Sequence, residues 1–533
     1  MRRFSSYGPV SKKNHYYAPR KALLEKAYRQ MVGDFPDEGG HHYITVWGPR
    51  QTGKSWAMRD VLWRIQKDER FDVLKINLEH LKMETDPAQV LAGLGEEILK
   101  GLSRDVTKTD TGRKFQALFA KDILKKPLIL ILDEFDALAE DAISAIVGAF
   151  RNIHNIRQDQ SNRPTGEKDY LLHSAALIGV RRVLGVENAK GSPFNVQQSL
   201  HIPNLTFDEV EAMFRWHRKE SGQRVDQAVI ERLFDETAGQ PGLTCWFGEL
   251  LTEGWDGFEA TYDMPIDMAL FRKAYLAAAS HLPNNTILNI ISKARQKPYK
   301  ATLLKLFGTQ KKTRFTYDND AINFLYMNGV IDREEEDGES HVKFSCPFVQ
   351  KRLFNCFADE LFDDMGRLYD PFEDLDDAIA EDRLNVRNIM KRHRLYLSAN
   401  RGWLFENAPR RSDMRIYEAV FHFNLYMYLF GFITRFGGQV WPEFPTGNGK
   451  IDLVVQYAGK TYGIEVKSYT DRPGYLRALK QAAEYGTQLN LKEISLIFFT
   501  ETIDDATREK LEADFHDPDT GVTVMPIFSE TRV

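Results

Sequence analysis

Residues 43–55 read Tyr43-Ile44-Thr45-Val46-Trp47-Gly48-Pro49-Arg50-Gln51-Thr52-Gly53-Lys54-Ser55. A β-rich apolar run ends in Gly48, and Gly48, Gly53, Lys54 and Ser55 then fill the pattern G-x-x-x-x-G-K-[ST]. The order strand, glycine loop, helix start is that of a phosphate-binding loop. Its glycines let backbone N–H groups curl around phosphates, and the helix expected from Trp56 to Gln66 adds its positive dipole end. Pro49, Arg50, Gln51 and Thr52 complete the loop wall. Lys54 is expected to reach the β/γ oxygens and Ser55 to hold Mg²⁺.

Such a loop needs a partner on the metal side. Leu128 to Leu132 is an uninterrupted apolar run ending in Asp133-Glu134. Asp133 is expected in the Mg²⁺ shell and Glu134 as the group that polarises the attacking water. Further strand-like runs at Val73 to Leu78, Ala175 to Val180 and Ser199 to Ile202 alternate with helical runs at Pro87 to Leu102 and Ala137 to Ile156. That alternation predicts a parallel sheet covered by helices on both faces. The polar loop Gln158 to Lys168 is placed over the nucleotide edge of this sheet, or is merely mobile.

The chain has 533 residues, 43% of them apolar, enough for several cores in an α/β multidomain protein. Its net charge of -5 confines any nucleic-acid site to a local patch. Cys245, Cys346 and Cys356 lack the spacing of a zinc site or a disulfide framework, in keeping with a reducing cytoplasm. The basic N-terminus has no apolar signal core. The run Phe421 to Ile433 is too short to span a bilayer and carries His422 and Asn424, so no membrane partner is expected.

GPRQTGKS, LILILDEFDAL and a later Gly239-Gln240-Pro241 resemble P-loop ATPases with an extra central strand, particularly the AAA-like, archaeal-ATPase and STAND branch. The resemblance implies ATP and Mg²⁺ as cofactors, a helical lid and a homo-oligomeric ring as one form of assembly. In such ATPases the loop before the first helix, here Lys21 to Val32, lies near the adenine. Tyr17 or Arg20 fits that role, or the segment is a plain helix start. The fourth strand of the family carries a polar sensor at its end. Here it reads LIGVRRVL, and Arg181 or Arg182 either approaches the γ phosphate or a neighbouring subunit, or is solvated.

The expected domains are an ATPase core at 1–206, a helical lid at 207–257, a winged-helix-like module at 258–358, an acidic helical linker at 359–410 and a final α/β domain at 411–533. Between Lys293 and Arg314 stand eight basic and no acidic residues, a candidate phosphate-contacting face for DNA. The apparent wing tip, Asp332 to Glu339, is acidic. The module therefore either touches DNA or meets a protein trigger.

The last third contains Ile451 to Tyr457 and Thr461 to Val466, joined by Ala458-Gly459-Lys460, which predicts a hairpin. Glu465 and Lys467 share one side of the strand, and Asp452 comes close to opposite Glu465. Two converging carboxylates favour a hard cation, with Lys467 beside it to orient or deprotonate water. Asp452 with Glu465-Val466-Lys467 resembles the PD-(D/E)XK nuclease superfamily. Glu418 on a preceding helix, and Gln481 and Tyr485 four apart on a following one, match its flanking features. Asp452 and Glu465 would be metal ligands there. The usual Pro-Asp pair is Ile451-Asp452 here.

Together these readings point to an ATP-regulated, Mg²⁺-dependent DNA nuclease, with proteins that guard bacteria or archaea against mobile DNA as the nearest analogy. Two alternatives stay open: a signalling or scaffold ATPase whose nuclease-like domain binds DNA or a partner without cutting, and an ATPase-nuclease of transposition or repair.

Overall fold

The computed structural model describes residues 1–8, 10–34, 42–179, 197–308, 312–370, 373–443, 451–469 and 471–531, with the side chains of 42, 197, 451 and 452 left aside. The chain divides into two compact units, Met1–Leu276 and Ala277–Val533.

In the first unit the elements run α1 (Lys21–Val32), β1 (His42–Trp47), α2 (Lys54–Ile65), β2 (Asp72–Asn77), α3 (Pro87–Gly101), α4 (Gly112–Ala117), β3 (Leu128–Asp133), α5 (Glu140–Asp159), β4 (Leu172–Ile178) and β5 (Gln197–His201). The five strands form a sheet in the order β2-β3-β4-β1-β5, parallel throughout. β4 is thus the extra strand between the strand that feeds the glycine loop and the strand that ends in Asp133. Every residue of β3 is buried, because alternate side chains feed two cores. Leu128, Leu130 and Leu132 pack with α3, α4 and α5. Ile129 and Ile131 pack with α1 and α2.

Parallel strands begin at one edge of the sheet and end at the other. The loop 158–168 leads into β4, whereas the glycine loop follows β1, so 158–168 lies at the opposite edge from the nucleotide, contrary to the expectation above. It is also tied down. Arg157 Nη2 donates to Thr165 Oγ1 at 2.8 Å, Lys168 Nζ to Arg157 O at 3.2 Å, and His173 Nε2 is 2.9 Å from Val32 O.

After β5 come α6 (Phe207–Ser221), α7 (Gln227–Thr237), α8 (Pro241–Thr252), the two-residue strands β6 (Gly254–Trp255) and β7 (Phe258–Glu259), and α9 (Met268–Ser280), within which the unit boundary falls. α6 starts in a capping box, with Thr206 and Glu209 each accepting the other's backbone N–H. Arg2, Phe4, Ser6 and Tyr16 of the N-terminal segment meet this helical layer. Phe4 is buried against Phe214, Ser6 N and Oγ donate to the Glu249 carboxylate at 2.6 and 2.7 Å, and Arg2 pairs with Glu220.

The second unit begins with α10 (Asn285–Ala294), α11 (Lys297–Gly308), α12 (Asp320–Met327), a hairpin of β8 (Ile331–Glu336) and β9 (Glu339–Phe344), and α13 (Pro347–Phe362). The short pair β10 (Ile379–Ala380) and β11 (Arg383–Leu384) follows, then α14 (Val386–Leu404). The acidic stretch before α14 is not wholly solvated, since Glu373 and Asp377 both pair with Arg392.

The remaining elements are α15 (Glu418–Thr434), β12 (Gln439–Glu443), β13 (Ile451–Tyr457), β14 (Lys460–Ser468), α16 (Arg472–Gln488), β15 (Glu493–Thr500), α17 (Asp505–Leu511), β16 (Phe515–His516) and β17 (Thr523–Glu530). Their sheet runs β12-β13-β14-β15-β17-β16. It is antiparallel from β12 to β14, parallel from β14 to β17, and antiparallel again at β16. α16 covers one face over Leu496, Phe498, Val524 and Phe528. α15 carries a long run of buried residues, including Phe421, Phe423, Tyr426 and Tyr428, and Phe430 is its exposed aromatic. The buried rings are core. Among the described residues no helix is long and apolar enough to cross a membrane.

Candidate functional site

The glycine loop is shaped by three left-handed residues, Gly53 at φ 89°, Gln51 at φ 59° and Gly48 at φ 155°. At Gly48 a Cβ would lie 2.9 Å from Ile202 O, so only glycine fits without a shift. Gly53 is the N-cap of α2 and no side chain caps that helix, which leaves its first N–H groups for an anion. Thr52 Oγ1 donates to Pro49 O at 2.9 Å. Lys54 Nζ donates to Gly48 O at 2.7 Å and Pro49 O at 2.8 Å. Burial lowers the Lys54 pKa, against the opposing pull of Asp136, Glu134 and Asp133.

Ser55 Oγ donates to Asp133 Oδ1 at 3.1 Å. A hydroxyl at the start of α2 and a carboxylate at the end of β3 thus meet, and these hard oxygens are a fitting donor set for Mg²⁺. Glu134, next along, is exposed and left-handed at φ 55°. Its backbone N–H donates to Asp133 Oδ1 at 3.2 Å.

Sequence reasoning passed over Lys75, Asp136 and Gly242, and named Gln240 without its contact. Lys75 on β2 pairs with Asp133 Oδ2 at 2.5 Å. Its signal was a charge standing between Leu74 and Ile76 in a strand run. Asp136 packs against Gly179, which at φ 93° has no Cβ to obstruct it. Gln240, the middle residue of the Gly-Gln-Pro triplet, donates from Nε2 to Arg50 O at 3.1 Å, and Gly242 packs on Gln51. The triplet therefore touches the glycine loop directly.

Arg20 is no solvated helix start. Its side chain is 8% exposed and donates to Thr52 O at 3.4 Å and Pro203 O at 2.6 Å. Tyr17 instead packs on Trp56 and Trp216. Arg181 and Arg182 lie outside the described residues.

In the second unit the hairpin turns at Ala458 and Gly459, both left-handed, as a two-residue connection closed by the pair Tyr457 and Lys460. The register makes Asp452 the partner of Glu465. Glu465 and Lys467 are 3% and 2% exposed and form an ion pair at 2.5 Å. Lys467 Nζ also donates to Gln481 Oε1 on α16 at 2.6 Å. Ser468 Oγ, one residue on, donates to Glu418 Oε2 at the start of α15 at 2.6 Å. Glu418, Glu465, Lys467 and Gln481 are thus brought to the same end of β14. Tyr485 sits one helical turn from Gln481, in the apolar core beneath α16. The side chain of Asp452 is not among those described.

The basic run is partly used up by neighbours. Arg295 and Lys300 pair with Glu360, and Lys312 pairs with Glu336 on the acidic hairpin. Lys311 lies outside the described residues.

Residues 38–165 match the family model described as AAA domain. No curated protein matches the chain. Among solved structures, a Walker-type ATPase of Pyrococcus abyssi is 14% identical with a TM-score of 0.41, over 66% of this chain and 99% of that one. The Orc1 protein of Aeropyrum pernix, solved in complex with DNA, is 16% identical with a TM-score of 0.30, over 63% and 92%. Cdc6p from Pyrobaculum aerophilum is 14% identical with a TM-score of 0.33, over 67% and 97%. The stretch matched by the AAA model contains the glycine loop, Lys75 and Asp133-Glu134, and it is a P-loop ATPase domain.

Proposed function

We propose that the chain is an ATP-regulated, Mg²⁺-dependent DNA nuclease, in which the P-loop ATPase domain is the switch and the second unit cuts. The observation that carries this reading is the cluster at the end of β14, where Glu465, Lys467 and Gln481 are joined by hydrogen bonds and Asp452 is in register with Glu465.

In the ATPase domain, the loop N–H groups and Lys54 bind the phosphates, Ser55 and Asp133 hold the divalent ion, and Glu134 orients water. Lys54 exchanges its bonds to Gly48 O and Pro49 O for phosphate oxygens. The lid residue Gln240 reports the loop's state to α8 through Arg50. In the second unit Asp452 and Glu465 hold the metal, which when bound draws phosphate oxygens in and offsets their charge. Lys467, positioned by Gln481, takes the proton of the attacking water or holds it in line. Glu418 and Ser468 close the site on the α15 side, and Tyr485 fixes the seat of Gln481. Lys297, Lys305 and Arg314 supply backbone contacts to DNA, and a homo-oligomer is compatible with the ATPase class.

A second reading is favoured by the burial of Glu465 and Lys467: a signalling or scaffold ATPase whose nuclease-like domain binds without cutting. Cleavage of linear, circular and single-stranded DNA with Mg²⁺, with and without ATP, separates the two. Loss of cutting in Asp452→Ala and Lys467→Ala, with an altered ATP response in Lys54→Ala, is the expected result. ATP turnover with no Asp452-dependent cutting on any substrate would sink the nuclease and leave the second reading.

A further inference from the structure

Both oxygens of the Asp133 carboxylate are engaged within the chain. Oδ1 accepts from Ser55 Oγ at 3.1 Å and from the Glu134 N–H at 3.2 Å. Oδ2 is held by the Lys75 ammonium at 2.5 Å. The pair is unequal in exposure, 4% for the carboxylate side chain and 21% for the lysine. In the register of β2 and β3 it is Asn77, not Lys75, that stands beside Asp133. The lysine therefore extends along the sheet to make this contact, on a stem long and flexible enough to make another.

A buried carboxylate needs a counter-charge, and Lys75 supplies it. The same carboxylate is the anionic donor of the Ser55–Asp133 pair read above as the metal position. A dication and an ammonium on one carboxylate repel each other at short range in a medium less polar than water. Both do not stay.

We propose that Lys75 is the resident counter-ion of the metal position: it neutralises Asp133 until Mg²⁺ arrives with nucleotide, is then displaced toward solvent or the phosphate oxygens, and so raises the metal concentration that nucleotide loading requires. This rests on the reading of Ser55 and Asp133 as metal ligands. Lys75 is a positioning residue in this scheme, because it acts on the metal through Asp133. The arrangement keeps the site from taking up a divalent ion alone and couples metal entry to the arrival of phosphates, which offer the ammonium a new partner.

The test uses the full chain and Mn²⁺ as the probe, titrated by electron paramagnetic resonance with saturating ADP. Wild type is compared with Lys75→Met, which removes the charge, and Lys75→Gln, which removes the charge but keeps a donor for Asp133 should the methionine variant fold poorly. ADP affinity is measured in EDTA alongside. The expected result is a Mn²⁺ dissociation constant about tenfold lower in Lys75→Met and several-fold lower in Lys75→Gln, with ADP binding in EDTA unchanged within about twofold. Unchanged or weaker Mn²⁺ binding in variants that still bind ADP overturns the role of Lys75 alone. Absence of ADP binding in wild type overturns the nucleotide site itself and this inference with it. A Ser55→Ala control that leaves the Mn²⁺ affinity untouched overturns the assignment of the metal position and, with it, the inference.

Discussion

Gly239 holds φ at 67°, and a Cβ added there would run into Leu205 O at the root of the lid. Its N–H and C=O are held as well, Gly239 N donating to Thr237 Oγ1 at 3.3 Å and Leu205 N donating to Gly239 O at 2.8 Å. Gly239→Ala is expected to cost about 2 kcal/mol or more, combining left-handed strain with a steric shift. A thermal melt of the variant checks this, and an unchanged midpoint refutes it. At this scale the legible residues were those with a fixed local spacing: Gly48, Gly53, Lys54 and Ser55 follow one another in the chain, as do Asp133 and Glu134. Ser468 was illegible because it acquires its meaning from a partner far away in sequence, Glu418, and Lys75 showed only as a charge within a strand, its partner Asp133 being equally remote; Arg20 was singled out, but its bond to Thr52 was not. The side-chain bond from Lys467 to Gln481 was only half legible. The four-residue spacing of Gln481 and Tyr485 put them on one helix face, but nothing local said that the first would reach the lysine while the second entered the core.

The elements best anticipated were those with their own start and stop signals. α1 spans Lys21–Val32 as expected, and α3 begins at Pro87 behind the Asp86 cap. The hairpin of β13 and β14 followed from two β-branched runs joined by Ala458-Gly459-Lys460, of which Lys460 proves to be the first residue of β14. The segment 1–18 gave no such signal, having neither helical nor strand period, and yet it binds the lid layer through Phe4, Ser6 and Arg2. It also reaches α2, where Arg59 Nη2 donates to Val10 O at 2.5 Å and Lys12 pairs with Asp60. Phe4 is 1% exposed and lies against Gly248. Phe4→Ala is therefore expected to cost about 3–5 kcal/mol, whereas Thr206→Ala, which removes one cap of α6, costs about 1 kcal/mol. Urea denaturation of the two variants ranks them, and equal midpoints would contradict the picture of the N-terminal segment as a packed part of the lid layer.

Each unit has its own response to conditions. In the second, His393 on α14 and His422 on α15 are 0% and 2% exposed, and burial pushes both pKa values down from 6.5 to about 4. The folded form therefore resists protonation that the unfolded chain accepts below pH 6.5. Stability is fully present above that value and falls as pH drops toward 4, by up to about 3 kcal/mol per histidine. Melting followed between pH 7 and 4 measures the slope, and His422→Phe is expected to reduce it by roughly half. A wild-type midpoint that does not move between pH 6.5 and 4.5 rules this out. The order of strands in the first unit has a consequence for how the chain is made. Ile44 of β1 finds its two sheet partners in Ala176 and Gln198. A ribosome therefore releases the glycine loop long before either neighbour of its strand exists, and β1 waits with both edges unpaired. β2, β3 and β4 emerge in the order in which they pair, so they are ready to receive it. The glycine loop's strand is fully paired only once residue 201 has emerged, which makes the interval between residues 47 and 201 the time at which a chaperone has most to protect in this unit.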